Sequence, residues 1–250
     1  MGSFKERLAQ VLRDKIHEKE STILSDETVL FRDRRYEKHR RKIIKSILDR
    51  LPHGRLLDVG CGEGVFSRMA AKNGIEVVSL DVKPVFVRTS SSLGKRIVPI
   101  VGSAGELPFK DDAFNAVMFL NVIEHLDSVD GLRCLKEIRR ILKRGGNLLV
   151  STPNTFGLVS FYGRLIEKAA NYKFCAWDPT HVKLYSPNEI ITILHGLGFK
   201  IIDARGYFMI PELPIPKKIN MLFDPLRFHS SSDPISRNVG FSLIVLARKA

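Results

Sequence analysis

The stretch RLLDVGCGEGVFSRMA, residues 55–70, joins a short apolar run to three glycines at alternate positions. The run RLLDV predicts a buried β-strand, and the residues after the third glycine have a helical pattern. Gly60 lets the chain turn sharply where the strand ends, while Gly62 and Gly64 let a ligand approach the backbone closely. This strand, turn and helix are typical of a nucleotide-type cofactor site.

The spacing of the glycines argues against a dinucleotide. The dinucleotide fingerprint is GxGxxG, and its third glycine would fall on Val65. Asp58 and Glu63 would also place negative charge where a pyrophosphate has to sit. The Lys-Ser/Thr of a P-loop does not follow the turn. A carboxylate at the strand end suits a ligand with a positive group, and S-adenosylmethionine carries an ammonium and a sulfonium but no phosphate.

A second acid supports a nucleoside ligand. The run EVVSLD ends in Asp81, about twenty residues after the glycine turn. At the carboxyl end of a neighbouring strand, this carboxylate can accept hydrogen bonds from both ribose hydroxyls. Sites for NAD and for S-adenosylmethionine share that geometry, and a turn acid that only ends a strand fits as well, so Asp81 alone does not discriminate.

Alternating strand and helix patterns predict a parallel sheet covered on both faces. Residues 34–50 read as an amphipathic helix, and so do residues 4–20. Ser186 is the expected N-cap of a helix that ends near Gly196. The predicted strands are 55–59, 76–81, 96–101, 113–120, 146–151, 199–207 and 240–249. The other predicted helices are 65–73, part of 84–94, 121–126 and 129–143.

The motifs DVGCGEG, LDVKP, GSAGELPFKDDAFNAVMFLNVIEHL and LKRGGNLLVSTPN, in this order, resemble class I S-adenosylmethionine-dependent methyltransferases. The resemblance covers residues 55–154. It implies a Rossmann-like, seven-stranded, mostly parallel α/β sheet with helices on both faces and a C-terminal antiparallel hairpin. S-adenosylmethionine is the implied cofactor. The implied contacts are with the methionine end for Asp58, Gly60, Gly62 and Asn121, with the ribose for Asp81, and with the adenine for Val82, Ser103 and Ala104.

The element LNVIEHL resembles the small-molecule branch of that family, particularly quinone-biosynthesis O-methyltransferases. Some of those enzymes read Glu-x-x-Glu-His here and place the three side chains around a divalent metal. This chain has Asn121 in place of the first acid, beside Glu124 and His125, so we expect no metal. His125 and His181 are then the candidates for a general base, since imidazole accepts a proton near neutral pH. Each has a structural alternative, His125 as a capping or packing residue and His181 as an anchor of the substrate cover.

Two segments with turn residues, aromatics and prolines interrupt the regular pattern. Residues 152–182 and 208–238, together with N-terminal helices in residues 1–50, are expected to cover the substrate of a methyltransferase domain in residues 51–250. Both segments are apolar and aromatic with basic flanks. They favour an apolar or lipid-linked acceptor with an acidic part, although ordinary core packing explains them equally well. Trp177 and Tyr185 either line this pocket or belong to the core.

The net charge of the chain is compatible with acceptors other than a small molecule. Forty lysines and arginines against 27 acids give a net charge of +13, which predicts attraction to nucleic acid, a phosphorylated substrate or a membrane surface. RNA methylation is therefore an alternative, although neither the Asp/Asn-Pro-Pro-aromatic element of base N-methyltransferases nor the Pro-Cys of the cytosine-5 branch is present. A non-catalytic cofactor-binding protein is the second alternative. Three cysteines without CxxC spacing and a charged N-terminus indicate a reducing, cytoplasmic compartment.

Overall fold

An eight-stranded sheet carries the fold, and the computed structural model describes it over residues 34–91, 96–156, 180–207 and 230–250. The strands are β1 (Arg55–Val59), β2 (Glu76–Asp81), β3 (Ile97–Val101), β4 (Phe114–Leu120), β5 (Leu142–Pro153), β6 (Phe199–Tyr207), β7 (Ser230–Ser231) and β8 (Ser242–Lys249). The helices are α1 (Arg34–Leu48), α2 (Val65–Lys72), α3 (Pro84–Ser91), α4 (Ser128–Ile141), α5 (Pro187–Gly196) and α6 (Pro234–Val239). A short 3₁₀ helix, Ile123–His125, lies between β4 and α4.

The strand order is β3-β2-β1-β4-β5-β8-β6-β7. Strands β1 to β5 pair in parallel, while β8 runs antiparallel to both β5 and β6. All seven predicted strands are present, which confirms the mostly parallel sheet with an antiparallel terminal pair. The two residues of β7 extend the β6 edge and were not predicted.

The core lies on both faces of the sheet. Leu57 and Val59 pack on the face covered by α4 and α5, whereas the intervening pleat places Leu56 on the face covered by α1 and α2. All four residues that follow Arg55 in β1 are buried. Burial on both faces explains why this strand shows no polar alternation.

Several boundaries differ from the sequence prediction. The helix expected over 121–126 is only the three-residue 3₁₀ turn, because Asn121 leaves β4 with a φ of 56°. Strand β5 is longer than predicted and runs through Pro153, into the expected cover. Tyr185 is buried in the core at 2% exposure, which confirms the core interpretation of this residue.

The predicted helix at 4–20, residues 157–179 and 208–229 of the two cover segments, and Trp177 lie outside the described residues. Ser186 does cap α5, since its Oγ accepts from the Glu189 amide at 3.1 Å. Within the described ranges, no helix is long and apolar enough to cross a membrane.

Candidate active site

The candidate site lies at the carboxyl edge of the parallel strands. The strand order changes direction between β1 and β4, and open α/β sheets bind ligands in the crevice at such a point. A cavity of about 210 Å³ opens there between α1, the glycine turn and the end of β4. Its lining includes Glu37, Arg40, Asp58, Cys61, Phe66 and Asn121.

The glycine turn packs directly against the segment after β4. Gly60 has a φ of 70°, and a Cβ on it would lie 2.4 Å from Cγ2 of Val122. The amides of Gly60 and Cys61 both donate to the carbonyl oxygen of Leu80, at 2.7 and 3.0 Å. Glycine is therefore required at position 60 for its dihedral angle and for space, and the turn is fixed to the end of β2.

Asp81 is held in a single orientation by the backbone. Its carboxylate accepts hydrogen bonds from the amides of Gly62 at 3.0 Å and Lys83 at 2.9 Å. Only 8% of the residue is exposed, whereas the next residue, Val82, is 69% exposed. A fixed acceptor group therefore lies beside an open apolar side chain, which is the pairing that a ribose and an adjoining base require.

Asp58 is buried beneath the glycine turn. Its Oδ2 accepts a hydrogen bond of 2.6 Å from Ser67 Oγ at the start of α2. Burial raises the pKa of Asp58 to about 6, although the bond from Ser67 opposes the rise. A cation placed next to this carboxyl would favour its ionised form.

The loop after β3 carries Ser103 and Ala104. Ser103 is exposed, and its Oγ accepts from the Gly105 amide at 3.3 Å. Farther along the same loop, Arg140 of α4 donates to the carbonyl oxygens of Leu107 and Phe109 at 3.0 and 2.8 Å. Helix α4 thus fixes the path of the loop that returns to β4.

Asn121 binds an arginine that the sequence analysis missed. Its Oδ1 accepts from Arg40 Nη2 and from Ser151 Oγ, each at 2.7 Å. The Arg40 guanidinium lies 4.9 Å from the centre of the Phe66 ring. A signal was present, because Arg40 precedes Ile43 and Ile44 by three and four residues and so shares the buried stripe of α1.

The two candidate histidines meet in space. The ring centres of His125 and His181 are 4.9 Å apart, and the ring planes meet at 60° in an edge-to-face contact. The amides of Val182 and Lys183 both donate to the carbonyl oxygen of Glu124, at 2.8 and 3.1 Å, and this attaches the second histidine's segment to the first. Nδ1 of His125 lies 3.0 Å from the Thr180 hydroxyl.

Glu124 is fully buried next to this pair. Neither of its carboxyl oxygens has a hydrogen-bond partner among the described residues. Burial raises the pKa of Glu124 to about 8, and the nearby Arg40, Thr152 and Asn121 lower it only in part. From the sequence alone, Glu124 stands out solely as a possible metal ligand.

Comparison with known proteins identifies the class of site. The family model described as a methyltransferase domain matches residues 34–204. A ubiquinone biosynthesis O-methyltransferase of Xanthomonas campestris is 27% identical over 177 residues, covering 64% of this chain and 69% of that protein. A "probable S-adenosylmethionine-dependent methyltransferase" of Mycolicibacterium smegmatis is 30% identical over 166 residues, 65% of this chain and 60% of that protein.

The fold comparison agrees with the sequence comparison. The crystal structure of an S-adenosylmethionine-dependent methyltransferase from Thermotoga maritima superposes with a TM-score of 0.61 at 19% identity. The match covers 87% of this chain and 95% of that one. At this identity the likeness establishes the fold.

Proposed function

Because this chain belongs to the class I S-adenosylmethionine-dependent methyltransferases, we propose that it methylates an oxygen atom of a small-molecule acceptor. S-adenosylmethionine is the cofactor, and the residues at the carboxyl edge fit it. The observation that carries the acceptor proposal is the pair of adjoining imidazoles, His125 and His181, at the same edge of the sheet. Hydroxyl acceptors need a base of this kind, because a neutral hydroxyl is a weak nucleophile.

The nucleoside half of the cofactor would bind on β2 and β3. The Asp81 carboxylate would accept from the ribose hydroxyls, since the Gly62 and Lys83 amides already hold it in place. Val82 would pack on the adenine face, and its 69% exposure leaves that surface open. Ser103 and Ala104 would line the adenine edge.

The methionine half would enter the 210 Å³ cavity. Asp58 would face its ammonium group, with Gly60 and Gly62 giving the backbone room to approach. We add Arg40 to this set, because its guanidinium lies in the same cavity and suits the methionine carboxylate. Asn121 would position Arg40 through the 2.7 Å hydrogen bond.

The bound cofactor supplies an activated methyl group, so the protein needs few reacting side chains. In the metal-free protein one imidazole of the pair would accept the acceptor's hydroxyl proton. The Thr180 hydroxyl, 3.0 Å from Nδ1 of His125, would orient that ring. Alignment of acceptor and methyl group and exclusion of water would supply the rest of the rate enhancement.

The cover segments bear on the class of acceptor. Thr180, within the first cover segment, contacts His125 directly. The apolar and aromatic residues in the sequence 157–179 favour an apolar acceptor such as a quinone precursor. The similarity to a ubiquinone biosynthesis O-methyltransferase supports the same class.

RNA is the second candidate acceptor. Helix α1 contributes Arg40 to the cavity and exposes Lys38, Arg41, Lys42 and Lys45, which would contact a phosphate backbone. The net charge of +13 is likewise positive and would attract the phosphate backbone of RNA. Methylation of RNA requires a groove that holds the nucleic-acid strand, whereas methylation of a small molecule requires only a pocket.

An acceptor screen with methyl-labelled cofactor tests the proposal. Hydroxylated quinone precursors, a lipid extract and total RNA are supplied separately, with the Asp81→Ala variant as the control with weakened cofactor binding. We expect label in an organic-soluble product whose mass spectrum and NMR spectrum show an O-methyl group. Label in RNA alone overturns the small-molecule proposal, and cofactor binding without transfer to any acceptor identifies a non-catalytic binding protein.

A further inference from the structure

A second cavity lies at the edge of the sheet opposite the proposed cofactor site. Its walls are the residues before β4, the last turns of α4, the turn between α5 and β6, and Lys249 at the end of β8. Its volume of about 570 Å³ falls in the range of roughly 300–1,000 Å³ that sites for small molecules have. Since the seven residues of β4 span roughly 20 Å, this cavity is separate from the one that contains Arg40.

Two of the four cations that line the second cavity are paired with acids. Nζ of Lys249 donates to a carboxylate oxygen of Asp112 at 2.9 Å. Arg140 donates to Asp111 at 2.8 Å and to both carboxylate oxygens of Glu137, at 2.9 and 2.8 Å. The charges of Lys249 and Arg140 are therefore balanced, and both acids in the lining are bound to them.

The other two cations, Lys136 and Arg139, have no such partner. Neither side chain makes a hydrogen bond or an ion pair within the described ranges. Nε of Arg139 is nevertheless buried, and a Cβ on Gly198 would lie 3.4 Å from Nη2 of the same guanidinium. A partly desolvated guanidinium without a partner costs free energy, which an anion in the cavity would offset.

The wall formed by the end of α5 leaves room for a ligand. The carbonyl oxygens of Ile193 and His195 already accept hydrogen bonds from the amides of Leu197 and Gly198, at 3.0 and 2.9 Å. A Cβ on Gly196 would have no atom within 4 Å. The helix end therefore presents open space beside Arg139, and its last carbonyl groups are largely satisfied within the turn.

We propose that the second cavity binds a small phosphate monoester, with Arg139 and Lys136 contacting the phosphate group. A phosphate monoester carries a charge of about −1.5 to −2 at pH 7, which matches the two unpaired cations. The planar guanidinium can bind two phosphate oxygens at once, and the ammonium adds a point charge. The remaining volume would hold the organic part of the ester. This inference is independent of the acceptor proposal.

Calorimetry with the full chain tests the inference. The protein is titrated with phenyl phosphate and separately with benzoate, both with and without saturating S-adenosylmethionine. We expect one equivalent of phenyl phosphate to bind at least about tenfold more tightly than the singly charged benzoate, and the cofactor to leave this affinity unchanged. Binding that the cofactor abolishes would place the anion in the cavity with Arg40 and overturn the proposal, as would the absence of stoichiometric uptake.

Charge-removing variants assign the binding to the cavity. Arg139→Gln should weaken phenyl phosphate binding at least about tenfold. Lys136→Gln should weaken it about threefold, because this side chain is exposed and its charge is screened by water. The matched control is Arg144→Gln, which removes an exposed arginine of β5 that does not line the cavity and should bind like the unchanged protein.

Three results would contradict the proposal. Equal losses in Arg144→Gln and Arg139→Gln would attribute binding to net charge alone. Unaltered affinity in Arg139→Gln would remove the guanidinium from the site, and if that variant does not fold, unaltered affinity in Lys136→Gln decides in the same way. An RNA oligomer that depends on Arg139 while phenyl phosphate does not bind would assign the two cations to nucleic acid. None of these measurements involves methyl transfer, so failure here leaves the acceptor proposal standing.

Discussion

At the scale of single residues, Asp81 is the side chain on which cofactor affinity should depend most. Its carboxylate would make two charge-assisted hydrogen bonds with the ribose, and each such bond contributes about 1.5–3 kcal/mol. We predict that Asp81→Ala weakens binding of S-adenosylmethionine by at least about 100-fold, as measured by calorimetry.

Glu76→Ala is the matched control, because Glu76 is an exposed acid at the opposite end of the same strand. The affinity of Glu76→Ala for S-adenosylmethionine should equal that of the unchanged protein. Since Asp81 also holds the Gly62 and Lys83 amides, the melting temperature of each variant is measured as well. Equal affinity in Asp81→Ala and the unchanged protein would remove Asp81 from the cofactor site.

Asp58 should make cofactor binding depend on pH. Its pKa is raised from 3.8 to about 6 in the folded chain. The folded state therefore binds a proton between about pH 6 and pH 4 that the unfolded chain does not, and the free energy of unfolding falls as the pH rises through this window.

The cofactor's ammonium group selects the ionised carboxyl, so affinity should change in the opposite direction. We predict that the Kd for S-adenosylmethionine rises as the pH falls below 6, by up to about tenfold per pH unit. Calorimetry between pH 5 and 7 measures it. The Asp58→Asn variant should bind more weakly at pH 7 and lose this dependence; a variant that keeps the full slope would assign it to another group.

At the scale of elements, the glycine turn shows how dihedral strain and close packing can be separated. Gly60 and Gly145 have nearly equal φ values, 70° and 72°, but a Cβ on Gly145 has no atom within 4 Å. We predict that Gly145→Ala lowers the free energy of unfolding by about 1–2 kcal/mol, the cost of a left-handed alanine. Gly60→Ala should cost several kcal/mol, on the order of other overpacking substitutions added to that strain.

Urea denaturation measures both variants. A double variant, Gly60→Ala with Val122→Ala, removes the methyl group that the new Cβ would contact. In the Val122→Ala background, Gly60→Ala should lower the free energy of unfolding by less than it does in the unchanged protein. If Gly60→Ala and Gly145→Ala lower the free energy of unfolding equally, the close approach of the turn to Val122 does not add to the cost of the Gly60 substitution.

Helix α1 should contribute to cofactor binding through one side chain. Arg40 is half-buried, pairs with Glu37 at 3.5 Å and reaches Asn121 from outside the parallel sheet. We predict that Arg40→Ala weakens S-adenosylmethionine binding about tenfold, in line with loss of one hydrogen bond to a charged group. The exposed Lys42 gives the control, Lys42→Ala. Similar losses in both variants would point to a general effect of charge.

All strands except β7 were predictable because each combines an apolar run with a turn signal at its end. The residues proposed to bind the cofactor stand out in the sequence because they lie within four residues of a strand end. Arg40 was not recognised, since the apolar stripe of α1 predicts burial without saying which partner lies opposite. The meeting of His125 and His181 depends on backbone hydrogen bonds from Val182 and Lys183 to Glu124, which a local pattern does not contain.

At the scale of the whole molecule, the net charge should influence which acceptors are captured. A charge of +13 attracts anions over distances of about one Debye length, roughly 10 Å at 0.1 M salt. We predict that kcat/KM for an acceptor with a carboxylate or phosphate group falls severalfold between 0.05 and 0.5 M KCl (about one to two halvings of the Debye length).

A neutral analogue of the same acceptor is the control, and its kcat/KM should change little over the same range of salt. Equal salt dependence for the charged and the neutral acceptor would show that the basic surface does not guide substrate to the site. A steep dependence that appears only with RNA would instead favour the nucleic-acid reading.

The position of β8 between β5 and β6 has a consequence for synthesis on the ribosome. Strand β6 is translated before β8, yet among the described strands only β8 connects it to the parallel strands. At about 5–20 residues per second, the roughly 40 residues from the end of β6 to the end of β8 take about 2–8 s to translate. During that interval the first five strands can assemble, whereas β6 still lacks its partner strand β8. Its residues Ala204 and Tyr207, which are buried in the finished fold, are not yet covered. The nascent chain is therefore most open to wrong strand pairing late in its synthesis, when the cofactor edge can already be formed.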